Sequence, residues 1–137
     1  MRHIALAAAL FAGLTSTATA QNFTTAAEIK PIVDMTRSSW VAVREWEGQD
    51  LLYFTHLEAW RCGMDQVRYF VNTGKPQVRE MEECYVDSPT PNAIKMEGHL
   101  PYDTHPLGSI ETITVEVTLD DGTVLKETFE RQNVMTP

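Results

Sequence analysis

Long apolar runs are missing from this chain of 137 residues; the longest, Ile4 to Leu14, has eleven. A helix that spans a bilayer needs about 20, so no segment qualifies as a membrane span. Basic residues are scarce too, with 11 Lys and Arg against 19 Asp and Glu and a net charge of −8. Nucleic acid and anionic membranes both require a basic face that displaces their counterions, which removes them from the expected partners and favours a cationic one. Only two cysteines are present, and there is no internal repeat, low-complexity tract or established catalytic motif. No cofactor is expected.

What is present begins with the first twenty residues. Arg2 and His3 form a short basic region, Ile4 to Leu14 an apolar core, and Ala18-Thr19-Ala20 a small-x-small cleavage pattern, the signature of a secretory signal peptide. We therefore expect a leader over residues 1–20, which is removed, and a single exported globular domain over 21–137. That domain keeps ten basic and nineteen acidic residues, a net charge of −9. Gln21, rather than a cysteine, stands at the new terminus, which points to the periplasm or to secretion without a lipid anchor. Asn22-Phe23-Thr24 matches a glycosylation acceptor but lies too near the cleavage point to be expected as one.

In an exported chain an even cysteine count favours a disulfide over a metal site or a nucleophile. Gln66 to Val71 reads as a strand, Asn72 to Pro76 as a turn and Gln77 to Glu82 as the returning strand. With the turn centred near Thr73 and Gly74, Cys62 and Cys84 face each other at the open end of that hairpin, within disulfide reach.

One helix is expected, at the start of the mature chain. Thr25-Ala26-Ala27-Glu28 forms a capping box, and Ile29, Ile32, Val33 and Thr36 share one face. Pro31 predicts either a kink or a helix that begins with Pro31 in its first turn. After it the period turns to two. Trp40 to Glu47 and Leu51 to Trp60 read as a hairpin around Gly48-Gln49-Asp50, the second strand apolar on both faces, as in a sandwich or a strand covered by the helix. A final ribbon turns at Asp120-Asp121-Gly122. A three-residue loop with glycine in a left-handed bulge position pairs Leu125 with Val117, Phe129 with Ile113, Lys126 with Glu116 and Thr128 with Thr114, which keeps core opposite core. The fold class is α+β and β-rich: an N-terminal helix followed by a mainly antiparallel meander of six to seven strands with one disulfide.

Cys84 to Ser109 is rich in proline and glycine, and only Ala93 to Met96 resembles a strand. Irregular stretches of this length either connect sheet edges or carry function, so His99, Tyr102, Asp103 and His105 form the candidate binding loop. His99, Asp103 and His105 are also the weak candidates for a metal trio, since imidazole and carboxylate suit zinc-like ions, although the spacing matches no established ligand motif. His56 and Glu58, at i and i+2 on one strand face, could pair for acid-base work. Of nine aromatics, from Trp40, Trp46, Tyr53 and Phe54 through Trp60, Tyr69 and Phe70 to Tyr85 and Tyr102, one or two are expected as surface anchors and the rest as core. The expected function is a non-enzymatic exported module that binds a protein or small ligand, with a basic protein favoured. The alternative is a small metal-dependent or acid-base hydrolase built on His99, Asp103 and His105 or on His56 and Glu58.

Overall fold

The computed structural model describes residues 8–10, 12–13 and 22–137; the leader expected over 1–20 lies largely outside them. The described elements are α1 (Ala26–Met35), β1 (Ala42–Trp46), β2 (Gln49–Tyr53), α2 (Thr55–Glu58), β3 (Met64–Val71), β4 (Gln77–Val78), β5 (Tyr102–Pro106), β6 (Thr112–Leu119), β7 (Val124–Glu130) and α3 (Arg131–Val134), with 3-10 turns at Arg37–Ser39 and Arg61–Gly63. The fold is α+β and β-rich: seven antiparallel strands form two sheets, ordered β1-β2-β5 and β4-β3-β6-β7. No helix among the described residues is long and apolar enough to cross a membrane.

The capping box starts α1 at the expected place. Thr25 Oγ1 accepts the Glu28 N–H at 3.3 Å, and the Glu28 carboxylate accepts the Phe23 N–H at 3.0 Å. With that start secured the helix runs through Pro31, which is exposed and costs one backbone bond, rather than beginning at it. Ile29 and Val33 turn inward and are fully buried. A Cβ on Gly63 would lie 2.7 Å from Ile29 Cδ1 and 2.8 Å from the Thr25 carbonyl oxygen, so only glycine lets the helix settle on the Arg61–Gly63 turn. Both sheets and α1 feed a single buried cluster, with Trp40, Val43, Leu52 and Phe54 from one side and Val67, Tyr69, Ile113, Val115 and Val117 from the other. The sandwich and the helix-covered sheet are thus combined.

The β6–β7 ribbon has the expected register, Leu125↔Val117, Phe129↔Ile113, Lys126↔Glu116 and Thr128↔Thr114. Gly122 sits at φ +86° and closes the loop through its N–H to the Leu119 carbonyl. Cys62 and Cys84 form the expected disulfide, with Cα atoms 5.0 Å apart. The β3–β4 register, Arg68↔Val78, extrapolates to 62 opposite 84.

Three expectations about elements change. The strand from Leu51 to Trp60 stops at Tyr53, and the chain turns into α2. Phe54, Leu57, Glu58 and Arg61 are all buried, and their spacing of i, i+3, i+4 and i+7 is that of a helical face. The returning strand Gln77 to Glu82 shortens to Gln77–Val78. Finally, Ala93 to Met96 is not a strand, while Tyr102–Pro106 in the same stretch is β5, paired with β2 from Gln49↔Pro106 to Tyr53↔Tyr102. Prolines on both sides of β5 hid it; at a sheet edge they are tolerated because the outer N–H groups need no ladder partner.

Candidate functional site

The residues singled out in sequence meet where β5 of one sheet approaches β3 of the other, but they do not meet as a metal trio. Asp103 on β5 accepts the Tyr69 hydroxyl from β3 at 2.6 Å and Arg79 Nη1 at 2.6 Å. Arg79 Nη2 reaches Glu58 Oε1 on α2 at 2.7 Å and the Leu100 carbonyl at 2.6 Å, and the second Glu58 oxygen accepts His99 Nε2 at 2.7 Å. His105 Nε2 lies 3.3 Å from the Tyr69 hydroxyl. Since that hydroxyl gives its one proton to Asp103, His105 donates to the phenol oxygen. Asp103 and His105 thus share the Tyr69 hydroxyl while His99 serves Glu58, and the three do not converge on one point. No group of three or more potential metal ligands occurs among the described residues.

Electrostatics in this cluster follow from burial and pairing. Burial, reinforced by the Asp103 carboxylate, raises the Tyr69 phenol well above its ordinary value, so it stays a donor. Burial likewise lowers the His105 imidazole, against the opposing charges of Asp103 and Asp50. For Arg79 the desolvation that would lower its pKa is overcome by Glu58 and Asp103, and it remains charged. The chain of Tyr69, Asp103, Arg79, Glu58 and His99 is a polar tie between the two sheets.

His56 is not beside Glu58. On the helical turn of α2 the two side chains diverge, and His56 Nε2 contacts Thr36 Oγ1 at 2.7 Å. Thr36 commits its proton to the Ile32 carbonyl at 2.6 Å, so the imidazole is the donor there. Burial lowers the His56 pKa. Tyr102 is half-buried and stacks on Tyr53 with centroids 5.2 Å apart. Among the nine aromatics Trp40, Phe54 and Tyr69 are fully buried, whereas Trp46 is 49% exposed beneath the Arg44 guanidinium.

Sequence reasoning missed two buried side chains that shape the irregular segment between β4 and β5. Arg61 places its guanidinium among the carbonyls of Glu58, Glu82, Glu83, Asn92 and Ala93, at 2.6–3.3 Å. Glu82 accepts the N–H groups of Lys95 and Met96, each at 2.8 Å. Burial alone would raise the Glu82 pKa, but these backbone donors, the Tyr85 hydroxyl and Arg61 hold it below its ordinary value. Buried polar groups demand partners, and the helical spacing from Phe54 to Arg61 was the signal that Arg61 points inward. Farther along, buried Asp50 accepts the N–H groups of Gly108 and Ile110 and pairs with Arg131 at 2.6 Å. The Arg131 hydrogen bond, followed by those two N–H groups, overcomes burial and lowers the Asp50 pKa to about 2.

Two concave features flank this frame. A cleft of about 400 Å³ opens between β3 and the returning chain 78–84, lined by Met64, Asp65, Gln66, Val78, Glu80 and Glu83 and backed by the disulfide. An apolar hollow of about 430 Å³ lies among Phe23, Trp60, Pro89 and Pro91. The Phe23 and Trp60 rings meet edge to face at 5.1 Å. No family model matches the chain, and neither curated proteins nor solved structures include a match.

Proposed function

We propose that the protein is an exported, non-enzymatic binding module whose partner is a basic protein. One observation carries the reading: the segment 79–101 has a shape imposed from within, by Arg61, Glu82 and the Cys62–Cys84 bond, yet it displays Val86, Ile94, Met96 and Leu100 to solvent, each at least 43% exposed. A loop held rigidly while it shows apolar side chains is organised for contact, because preorganisation lowers the entropic cost of binding. The excess of acidic residues favours a cationic partner by steering its encounter. The side chains capable of acid-base chemistry, by contrast, are engaged within the fold: Glu58, His99 and Asp103 in the polar tie, His105 at the Tyr69 hydroxyl and His56 at Thr36. A disulfide fits the exported compartment inferred from the leader.

Capture from the envelope of the source cell tests this. The full chain, expressed with its own leader and immobilised, should retain basic proteins saturably and release them as salt rises to about 0.3 M, where screening shortens the reach of charge. Retention of acidic proteins instead, or equal retention by the reduced and denatured chain, refutes it.

A further inference from the structure

We infer that the cleft beside the disulfide is where that partner docks, through a short basic segment; the inference rests on the binding-module reading above. The backbone supplies the first argument. Pairing of β3 with the returning chain covers Tyr69↔Gln77 and Arg68↔Val78 and ends with the Arg79 N–H on the Val67 carbonyl at 2.9 Å. Beyond that point the carbonyls of Glu82 and Glu83 turn to Arg61 instead of to β3. Met64 and Gln66 stay paired with β6, Asp65 stands at a bulge between them, and all three line the cleft. Between the Arg79–Val67 hydrogen bond and the Cys62–Cys84 bond the two chains part without pairing, which leaves a gap that side chains of a partner can enter.

The lining supplies the second. Met64, Val78 and Met81 offer apolar surface, while exposed Asp65, Glu80 and Glu83 stand among them. That combination suits lysine or arginine, whose methylene stems lie on apolar groups while the charged ends reach carboxylates. Methionine adapts its shape to such stems. The end of the ladder at Val67 and the disulfide at Cys62 bound the cleft along β3, so the docked segment is short.

Fluorescence anisotropy with a labelled, end-capped peptide of alternating lysine and valine tests the assignment on the full chain. The expected result is saturable, salt-sensitive binding that is about tenfold weaker in the Asp65→Asn/Glu80→Gln/Glu83→Gln variant, a few tenths to 1 kcal/mol per lost charge. A variant with the same net charge, Glu47→Gln/Glu111→Gln/Glu130→Gln, should bind within about twofold of the parent, since Glu111 and Glu130 lie at the end of β6 opposite to Met64 and Glu47 at the β1–β2 turn, and exposed charges there are screened. All six positions are exposed, and thermal melting confirms that both variants fold. Equal weakening in the two variants, or no saturable binding by the parent, overturns the assignment. If the cleft variant still captures basic envelope proteins as the parent does, the cleft is wrong while the binding-module reading stands. If neither captures them, both fall.

Discussion

In the β6–β7 ribbon backbone groups find their partners on the neighbouring strand, from Thr112↔Glu130 to Thr118↔Val124. Between Arg79 and Pro101 many of the partners are side chains: Arg61 takes four carbonyls of the segment, Glu82 two N–H groups, and Arg79 the Leu100 carbonyl. The difference lies in how load is shared. A ladder spreads pairing over many residues, each replaceable, because the main chain is the same whatever the side chain. The segment concentrates it on a few buried groups, so losing one strands several polar atoms at once.

The largest test of this contrast is Arg61→Met, which keeps length and apolar bulk but removes the guanidinium. Urea unfolding should show a loss of about 3–5 kcal/mol, the range for breaking a buried charged network. Arg61→Lys should recover little of it, since one ammonium lacks the planar fork of five donors. A loss near zero in either variant would mean that the segment is held by something other than Arg61.

Next in size, Cys62→Ser/Cys84→Ser should lower stability by about 3 kcal/mol on the chain-entropy model for a bridge across 22 positions. Matching denaturation curves for that variant and the parent would remove the disulfide from the frame.

Acid probes the stretch after β5, where Asp50 holds Gly108 and Ile110. Its folded pKa, lowered to about 2, lies below the unfolded value, so its stabilising contribution is complete above about pH 4 and is lost as pH falls toward 2. The contribution is about 2 kcal/mol, and Asp50→Asn should flatten that part of a stability-pH curve. A parent curve already flat between pH 5 and 2 would contradict it.

The smallest effect is expected on the ribbon. Glu116 pairs with Arg68 and Lys126, which are 44% and 60% exposed in their side chains. Glu116→Gln should therefore cost less than about 1 kcal/mol. A loss comparable to that of Arg61→Met would erase the contrast between ladder and staple.

The same contrast explains what could be read from the sequence. The ribbon's register, the capping box of α1 and the Cys62–Cys84 pairing follow from local pattern, since turn geometry and period two decide them. The helical turn α2 was hidden because Leu51 to Trp60 is apolar on both faces, which suits a buried strand as well as a helix. β5 was hidden by Pro101 and Pro106. His99, Asp103 and His105 stand close together in the sequence, but their partners Glu58, Tyr69 and Arg79 lie 24 to 41 positions away, and no local spacing announces contacts at that distance. Arg61 shows a different limit: its helical spacing from Phe54 signals an inward position, but with Leu51 to Trp60 read as a strand that signal is lost and a charged residue reads as solvated.

The staple made by Arg61 also bears on how this protein can change over generations. The groups it holds in the segment are main-chain carbonyls, which every amino acid supplies, so the path of the chain is set without reference to the side chains that the segment displays. Val86, Asp87, Ile94, Met96 and Glu97 are all exposed and can be exchanged while the frame beneath them stays put. The side chains of a surface built this way can vary faster than the fold itself diverges.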